Sequence, residues 1–163
     1  MLKKIMFTLL SLIMIYSTAA VLYRIFEPES EINTDTRTVS LDYDSLNEYL
    51  LSTGEGTIHY LMFSSTLSAD CQYVLNTVIP TVNTDLNMQA ESLIEIVDVT
   101  VLDKEMNINR LTADWGLSSI PSFAAVHIQD GTVIMDNTLE SDPQKPMSAA
   151  DLEGWLRQNG LIK

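Results

Sequence analysis

The chain has 163 residues and a formal net charge of −13, and this composition excludes several classes of protein. All 22 acidic residues lie at or after Glu27, where only 6 basic residues oppose them, so this part has a net charge of −16. Such a charge repels phosphate backbones and argues against nucleic-acid binding. A single cysteine, Cys71, excludes an intramolecular disulfide, a cysteine-based zinc cluster and an iron–sulfur site within these residues.

An apolar run near the N-terminus predicts a membrane segment. Lys3 and Lys4 precede a run from Ile5 to Tyr23 that only small hydroxyl residues interrupt. A helix of this length spans roughly 28 Å, close to the hydrocarbon thickness of a bilayer. The two lysines keep the N-terminus in the cytoplasm and leave the C-terminal domain extracytoplasmic, as a single-pass protein of the cell membrane. The small residues at 17–20 also suit a cleaved signal peptide, so residues 1–26 are an anchor or a signal.

The remainder divides into a linker and one domain. Residues 27–37 (EPESEINTDTR) are acidic and lack apolar periodicity, which is typical of a solvated linker. Residues 38–163 alternate between strand and helix patterns. In chain order, these patterns predict a strand at Thr38–Leu41, a helix from Asp42 to Gly54, a strand at Thr57–Ser64, a helix at Ala69–Leu86, a strand at Leu93–Val101, a helix at Asn107–Trp115, a hairpin of Ser122–Ile128 with Thr132–Met135, and a final helix closed by Gly160.

Several details of the helices follow from single residues. Asp42 is predicted to cap the first helix, and Pro80 to kink the long one. Ser148 and Asp151 resemble a capping box at the start of the last helix. Apolar side chains recur at helical spacing at Tyr43, Leu46, Leu50 and Leu51 in the first helix, and the last helix contains Leu152, Trp155 and Leu156. In the second helix we predict core positions at Tyr73, Val74, Val78 and Val82. The fold class is therefore α/β, a mixed sheet with helices on both faces.

This order resembles the thioredoxin fold over about residues 38–162, and two local motifs carry the resemblance. The segment from Trp115 to Phe123 (WGLSSIPSF) is similar to the superfamily's aromatic-Gly segment, whose proline is cis and faces the active site. The resemblance thus implies a cis bond at Pro121. The segment from Tyr60 to Cys71 resembles the strand and helix start where the superfamily places Cys-x-x-Cys. Exported, membrane-anchored members of this kind also resemble bacteriocin-transport accessory proteins of Gram-positive bacteria.

The motif is degenerate in this chain. Ser68-Ala69-Asp70-Cys71 occupies the Cys-x-x-Cys position, and Leu67 stands where many members have tryptophan. In the family the first thiol is the nucleophile, but a lone serine hydroxyl forms no disulfide. We expect Ser68 to cap the helix and Cys71 to be a small buried apolar residue.

We predict a redox-inert, membrane-tethered binding module that assists peptide export or envelope protein maturation. The family's groove pairs its backbone with an extended peptide or protein partner, a mode that does not need the thiols. The acidic charge favours a basic partner. The predicted groove consists of Leu67, Ser68, Ala69, Asp70, Cys71, Ile120, Pro121 and Ser122. Two alternatives stay open: a monothiol oxidoreductase that uses an exposed Cys71 as its catalytic residue, and a spacer within an envelope complex.

No cofactor and no metal site are predicted. The acidic and amide residues from Asp103 to Asp114 mimic the spacing of a calcium loop. The sixth position is Ile108 instead of the glycine that the sharp turn needs, so we do not predict calcium binding. The two histidines, His59 and His127, lie in predicted strands and are expected to have ordinary structural partners.

Overall fold

The computed structural model describes residues 40–163, and its central feature is a five-stranded mixed sheet. The strands are β1 (Leu41–Asp42), β2 (Ile58–Ser64), β3 (Glu95–Asp98), β4 (Ser122–Gln129) and β5 (Thr132–Glu140). The helices are α1 (Leu46–Ser52), α2 (Ala69–Tyr73), α3 (Ile79–Leu86), α4 (Thr100–Lys104), α5 (Asn109–Trp115) and α6 (Ala149–Gln158), with a 3-10 turn at Ala90–Ser92. The predicted membrane segment, the linker and residues 38–39 lie outside the described residues. No helix within residues 40–163 is long and apolar enough to cross a bilayer.

The strand order β1-β3-β2-β4-β5 makes the fold thioredoxin-like. β1, β3 and β2 run parallel, whereas β4 is antiparallel to both β2 and β5. The predicted α/β class, with its mixed sheet and flanking helices, is therefore confirmed for the described part of the chain. The Ile120–Pro121 peptide bond directly before β4 is cis, as the resemblance implied.

Strand β2 is buried on both faces, as its almost wholly apolar sequence predicts. Because successive side chains of a strand point to opposite faces, Leu61 and Phe63 enter one core and Met62 enters the other. β4 divides in the same way, with Ala124 in the first core and Phe123 in the second. The first core lies under α1 and α5, and the second lies under α3, α6 and the helical segment Val74–Val78 that precedes α3.

The start of the first helix differs from the prediction. Helix α1 begins at Leu46, and Ser45 occupies its N-cap position. Asp42 instead ends β1, where its backbone pairs with Asp98. Its side chain accepts a hydrogen bond from the Ser45 N–H at 3.2 Å. Asp42 therefore belongs to β1, and a turn of three residues separates Asp42 from α1.

The prediction of Tyr73 as a core residue is wrong, and Leu51, one of the apolar residues at helical spacing in the first helix, is also exposed. Tyr73 is 44% exposed and Leu51 is 37% exposed. Cys71, Val74 and Val78 already occupy the inward stripe of the long helix, so Tyr73 lies to one side of it. Leu51 lies next to the fully buried Leu50, one position around α1 and away from the sheet.

A π turn at Val74–Val78 joins α2 to α3, and it ends two residues before Pro80. The Ile79 N–H bonds to the Val74 carbonyl five residues earlier, which defines this wider turn. Pro80 then falls in the first turn of α3, where the missing N–H costs little. The helix thus continues past the proline.

The predicted strand at Leu93–Val101 is too long. Only Glu95–Asp98 forms β3, and Thr100–Lys104 forms helix α4. The Asp98 carboxylate accepts a hydrogen bond from the Thr100 N–H at 2.8 Å, which turns the chain and overrides the β-branched sequence. The opposite error occurs in β5, which extends five residues past the predicted end at Met135.

The capping box of α6 is confirmed. The Ser148 side chain accepts from the Asp151 N–H at 3.2 Å, and the Asp151 carboxylate accepts from the Ser148 N–H at 2.9 Å. The Ser148 hydroxyl also donates to this carboxylate at 2.6 Å. These hydrogen bonds from Ser148 hold the pKa of Asp151 below its ordinary value.

Replacing Ser148 tests this cap. We expect Ser148→Ala to lower the free energy of unfolding by about 1 kcal/mol at pH 7. Because the pKa of Asp151 is lowered in the folded state, this contribution is present above the ordinary carboxyl pKa and is lost as the pH falls through the folded value. The difference between wild type and variant should therefore shrink in acid, as measured by urea unfolding followed by tryptophan fluorescence. An equal difference at pH 7 and pH 3 would contradict the coupling between Ser148 and Asp151.

Candidate functional site

The loop after β2 is anchored by a buried serine. Ser65 is fully buried, and its hydroxyl donates to the Asp103 carboxylate at 2.6 Å. The same hydroxyl accepts from the Leu67 N–H at 3.1 Å. A charge-assisted bond of this kind is stronger than a neutral one, so the loop is tied to α4 from beneath.

A second contact ties this loop to the start of α4. The Thr66 N–H donates to the Thr100 hydroxyl at 2.9 Å, and the two threonine hydroxyls lie 3.2 Å apart. The sequence pattern predicts a strand through Val101, so neither α4 nor this contact was expected. The available signal was Asp98 itself. An aspartate carboxylate often accepts a hydrogen bond from the backbone N–H two residues later, here that of Thr100, and this bond is typical of a turn.

Ser68 and Cys71 take the structural roles that the sequence predicts. Ser68 has an extended backbone at the N-cap, and its hydroxyl accepts from the Cys71 N–H at 3.3 Å. Cys71 is completely buried. Its sulfur accepts one hydrogen bond, from the Ser65 N–H at 3.4 Å, and makes no other within residues 40–163. Thus the thiol faces the core, while Ala69 and Asp70 are exposed beside it.

The loop before β4 is held rigidly by the end of β5. The Glu140 carboxylate accepts from both the N–H and the hydroxyl of Ser118, each at 2.7 Å. Ser119 donates its hydroxyl to the Ser141 carbonyl at 2.7 Å, and the Ser141 N–H donates to the Pro121 carbonyl at 3.0 Å. The Ser122 hydroxyl donates back to the Ser119 carbonyl. Hydrogen bonds therefore hold the residues on both sides of Ile120 in place.

Ile120 is a partly exposed residue of this loop with an unpaired backbone. Pro121 and Ser122 are buried, whereas Ile120 is half-buried. Within residues 40–163, neither the N–H nor the carbonyl of Ile120 makes a hydrogen bond. Both groups are therefore unpaired within the part of the chain that the structure describes.

The sheet brings the predicted groove segments to one edge. Ser122 pairs with Phe63 across β4 and β2, and Asp98 pairs with Ser64 across β3 and β2. The loops that follow β2 and β3 and the loop that precedes β4 therefore leave the sheet on the same side. Of the predicted groove residues, Leu67, Ser68, Ala69, Asp70 and Ile120 are accessible, whereas Cys71, Pro121 and Ser122 are buried behind them.

Two exposed apolar side chains lie at this edge. Leu67 is 61% exposed and Val101 is 66% exposed. Each directly follows one member of the hydrogen-bonded pair formed by Thr66 and Thr100. Val101 was not among the predicted site residues, because the sequence pattern placed it inside a strand. We name Leu67, Val101 and the backbone of Ile120 the edge groove.

The histidines have structural partners, as predicted. His59 contacts the Glu95 carboxylate through Nδ1 at 2.9 Å and the Thr53 hydroxyl through Nε2, also at 2.9 Å. His127 contacts Asp136 at 2.8 Å, and this hydrogen bond raises its pKa above the ordinary value. His127 pairs with Ile58 at the start of β2, whereas Cys71 follows the end of that strand. Neither ring is therefore placed to activate the thiol.

No metal site is found in the described part of the chain. Residues 40–163 contain no group of three or more histidine, cysteine, aspartate or glutamate side chains arranged to hold a metal ion. Within the calcium-like spacing, Asp103 is engaged by the Ser65 hydroxyl, and α5 begins at Asn109. The segment therefore lacks the continuous loop that an EF-hand requires.

Comparison with known proteins gives similarities in structure only. No protein-family model matches the chain, and no curated protein matches it. Among solved structures, a Thermus thermophilus thioredoxin is 18% identical with a TM-score of 0.46, over 73% of this chain and 84% of its own. A Plasmodium falciparum thioredoxin is 16% identical with a TM-score of 0.45, over the same shares. Thioredoxin O2 from Arabidopsis thaliana is 12% identical with a TM-score of 0.44, over 75% and 95%. No activity is transferred from them to this chain.

Thiol labelling tests the burial of Cys71. We expect a maleimide to react with native Cys71 only as fast as the domain opens, because the sulfur has no access to solvent. The matched control is Leu67→Cys in a Cys71→Ala background, which places the single thiol on an exposed side chain and should label rapidly. The labelling rates are measured by mass spectrometry, and the urea-unfolded protein gives the rate of a fully accessible thiol. Equal rates for the two native proteins would show that Cys71 is accessible.

Proposed function

We propose that the domain binds an extended segment of a partner protein at the edge groove, without redox chemistry. The observation that carries this proposal is the backbone of Ile120, whose N–H and carbonyl have no hydrogen-bond partner within residues 40–163. An extended peptide that pairs with this backbone would add a short strand, and backbone pairing supplies affinity for many sequences. The neighbouring Leu67 and Val101 would cover an apolar side chain of the partner.

The rigidity of the groove favours this function. The bonds from Ser65 to Asp103 and from Ser118 to Glu140 fix the two loops that form it. A preorganised site loses less conformational entropy on binding than a flexible one. The net charge of −16 from Glu27 onward favours a basic partner.

The chain's location would define its partner. If residues 1–26 anchor the chain with the domain outside the cytoplasm, as the sequence predicts, the groove would meet exported peptides and envelope proteins. The domain would then act as an accessory to peptide export or to the maturation of envelope proteins. Cleavage of this segment would release the same domain outside the cell.

The monothiol alternative needs an accessible sulfur. The burial of Cys71 and the distant histidines weigh against it, since thiol exchange requires a thiolate that can reach a partner disulfide. The spacer alternative needs no groove at all, and it predicts that changes in Leu67 and Val101 have no effect on any partner.

Changing the exposed apolar side chains tests the binding function. A photocrosslinking amino acid at Ala69 should capture a partner in intact membranes, and Leu67→Ser with Val101→Ser should reduce this capture severalfold. Both residues are exposed, so the melting temperature should change little. Met106→Ser is the matched control, because Met106 is 91% exposed and lies outside the groove. Equal capture by the double variant and the wild type would support the spacer alternative.

Restoring the second thiol tests the redox alternative. We expect no insulin reduction by the wild-type chain, because a single buried cysteine cannot complete the two-thiol cycle. Ser68→Cys should form a disulfide with Cys71 under mild oxidant, since the Ser68 hydroxyl already lies 3.3 Å from the Cys71 amide. Wild-type turnover that disappears in Cys71→Ser would overturn the redox-inert function.

A further inference from the structure

Strand β5 forms an outer edge of the sheet. It is nine residues long, and the strand order places it last, after β4. Within residues 40–163 no strand pairs with its outer side. Alternate residues of such a strand direct their N–H and carbonyl groups outward, where another extended chain can bond to them.

A bulge divides this edge into two parts. Val126 pairs with Met135 while Ala125 pairs with Asn137, so Asp136 is an extra residue in β5. Asp136 is held in place by His127 at 2.8 Å. Because a bulge interrupts the regular ladder, the stretch Thr132–Met135 is the regular pairing surface nearest the hairpin.

An open cavity of about 220 Å³ adjoins this stretch. Its lining comes from three elements: Asn47 of α1, Asp114 and Trp115 of α5, and Thr132, Val133 and Met135 of β5. Val133 and Met135 also pack against the first core, so the cavity lies on that face of the sheet. The volume is below the roughly 300–1,000 Å³ of small-molecule sites and suits one large side chain.

The acidic wall of the cavity has a spare hydrogen-bond acceptor. One oxygen of Asp114, Oδ2, accepts from the Tyr43 hydroxyl at 2.9 Å and lies 3.4 Å from the Arg110 guanidinium. Arg110 is bound more closely to Asp44, at 2.6 Å. The other oxygen, Oδ1, makes no hydrogen bond within residues 40–163, and the side chain is 45% exposed.

We propose that an extended segment of a partner protein adds to β5 at Thr132–Met135 and places one lysine or arginine in this cavity. Backbone pairing would supply affinity, and the cavity would select one side chain on the inner face of the added strand. The aliphatic stem would pack on Val133, Met135 and Trp115, while the charged group would reach Asp114. This surface is distinct from the edge groove.

The charge of the chain favours a basic partner over a second copy. From Glu27 onward 22 acidic residues oppose 6 basic ones, so two copies repel each other. The same field attracts a basic segment. The position of Asp136 at the bulge would also bring like charges together in a pairing of two β5 strands.

A labelled peptide tests this proposal on the full chain in mild detergent. The probe is a seven-residue peptide of alternating threonine and valine with a central lysine. Its binding to the chain is measured by fluorescence anisotropy. We expect it to bind about threefold more tightly than the same peptide with norleucine, which keeps the stem and removes the charge. Asp114→Asn should abolish this preference, whereas Asp85→Asn, an equal change of charge on an exposed residue of α3, should preserve it.

Peptide methylation tests the backbone pairing without altering the protein. Two probes carry N-methyl groups on opposite sets of alternate amides, and only the set that faces β5 should abolish binding. Binding should persist in the Leu67→Ser and Val101→Ser double variant, which separates this surface from the edge groove. Equal binding by both methylated probes, an unchanged lysine preference in Asp114→Asn, or a dimer of the chain paired through β5 would each overturn the proposal.

Discussion

The pairing of β2 with a parallel neighbour on one side and an antiparallel neighbour on the other determines the architecture. Phe63 pairs with Val97 of β3 and with Ser122 of β4. The end of β2 therefore lies beside the end of β3 and the start of β4. This pairing brings the loops that form the edge groove to the same end of the sheet. Burial of β2 on both faces secures the pairing, because shifting it by one residue would exchange the side chains of the two cores.

At the end of the sheet that carries Ser68 and Cys71, the described residues present an unpaired Ile120 backbone and a buried thiol. Ser68 caps the start of α2 and Cys71 lies in the core, so this part of the fold is ordered without a cysteine pair. The polar bonds that order the site, from Ser65 to Asp103 and from Ser118 to Glu140, are independent of the sulfur. Binding by the edge groove and binding along β5 would each use main-chain groups, with a few side chains for selectivity.

Sequence patterns predicted the class of fold, the two faces of β2, the cap at Ser68 and the burial of Cys71, because each depends on local chemistry or strong periodicity. They failed where contacts between distant parts of the chain decided whether a segment forms a strand or a helix. Val99, Thr100 and Val101 have high β propensity, yet the Asp98 turn and the contact with Thr66 make this segment helical. Val101 was missed as a site residue for that reason. Ile120 was predicted as a groove residue from the resemblance, but the lack of a hydrogen-bond partner for its backbone within residues 40–163 depends on the tertiary arrangement around it.

Amide hydrogen exchange at Ile120 tests the central claim most directly. The claim is that this N–H is available in the free chain and becomes a hydrogen-bond donor in the complex. Exchange should be fast in the free full-length chain and slow markedly when the chain is crosslinked to its partner, while the amide of the buried β2 residue Met62 stays protected in both states. An Ile120 amide that is already protected in the free chain, or that exchanges equally fast in the complex, would contradict the proposed mode of binding.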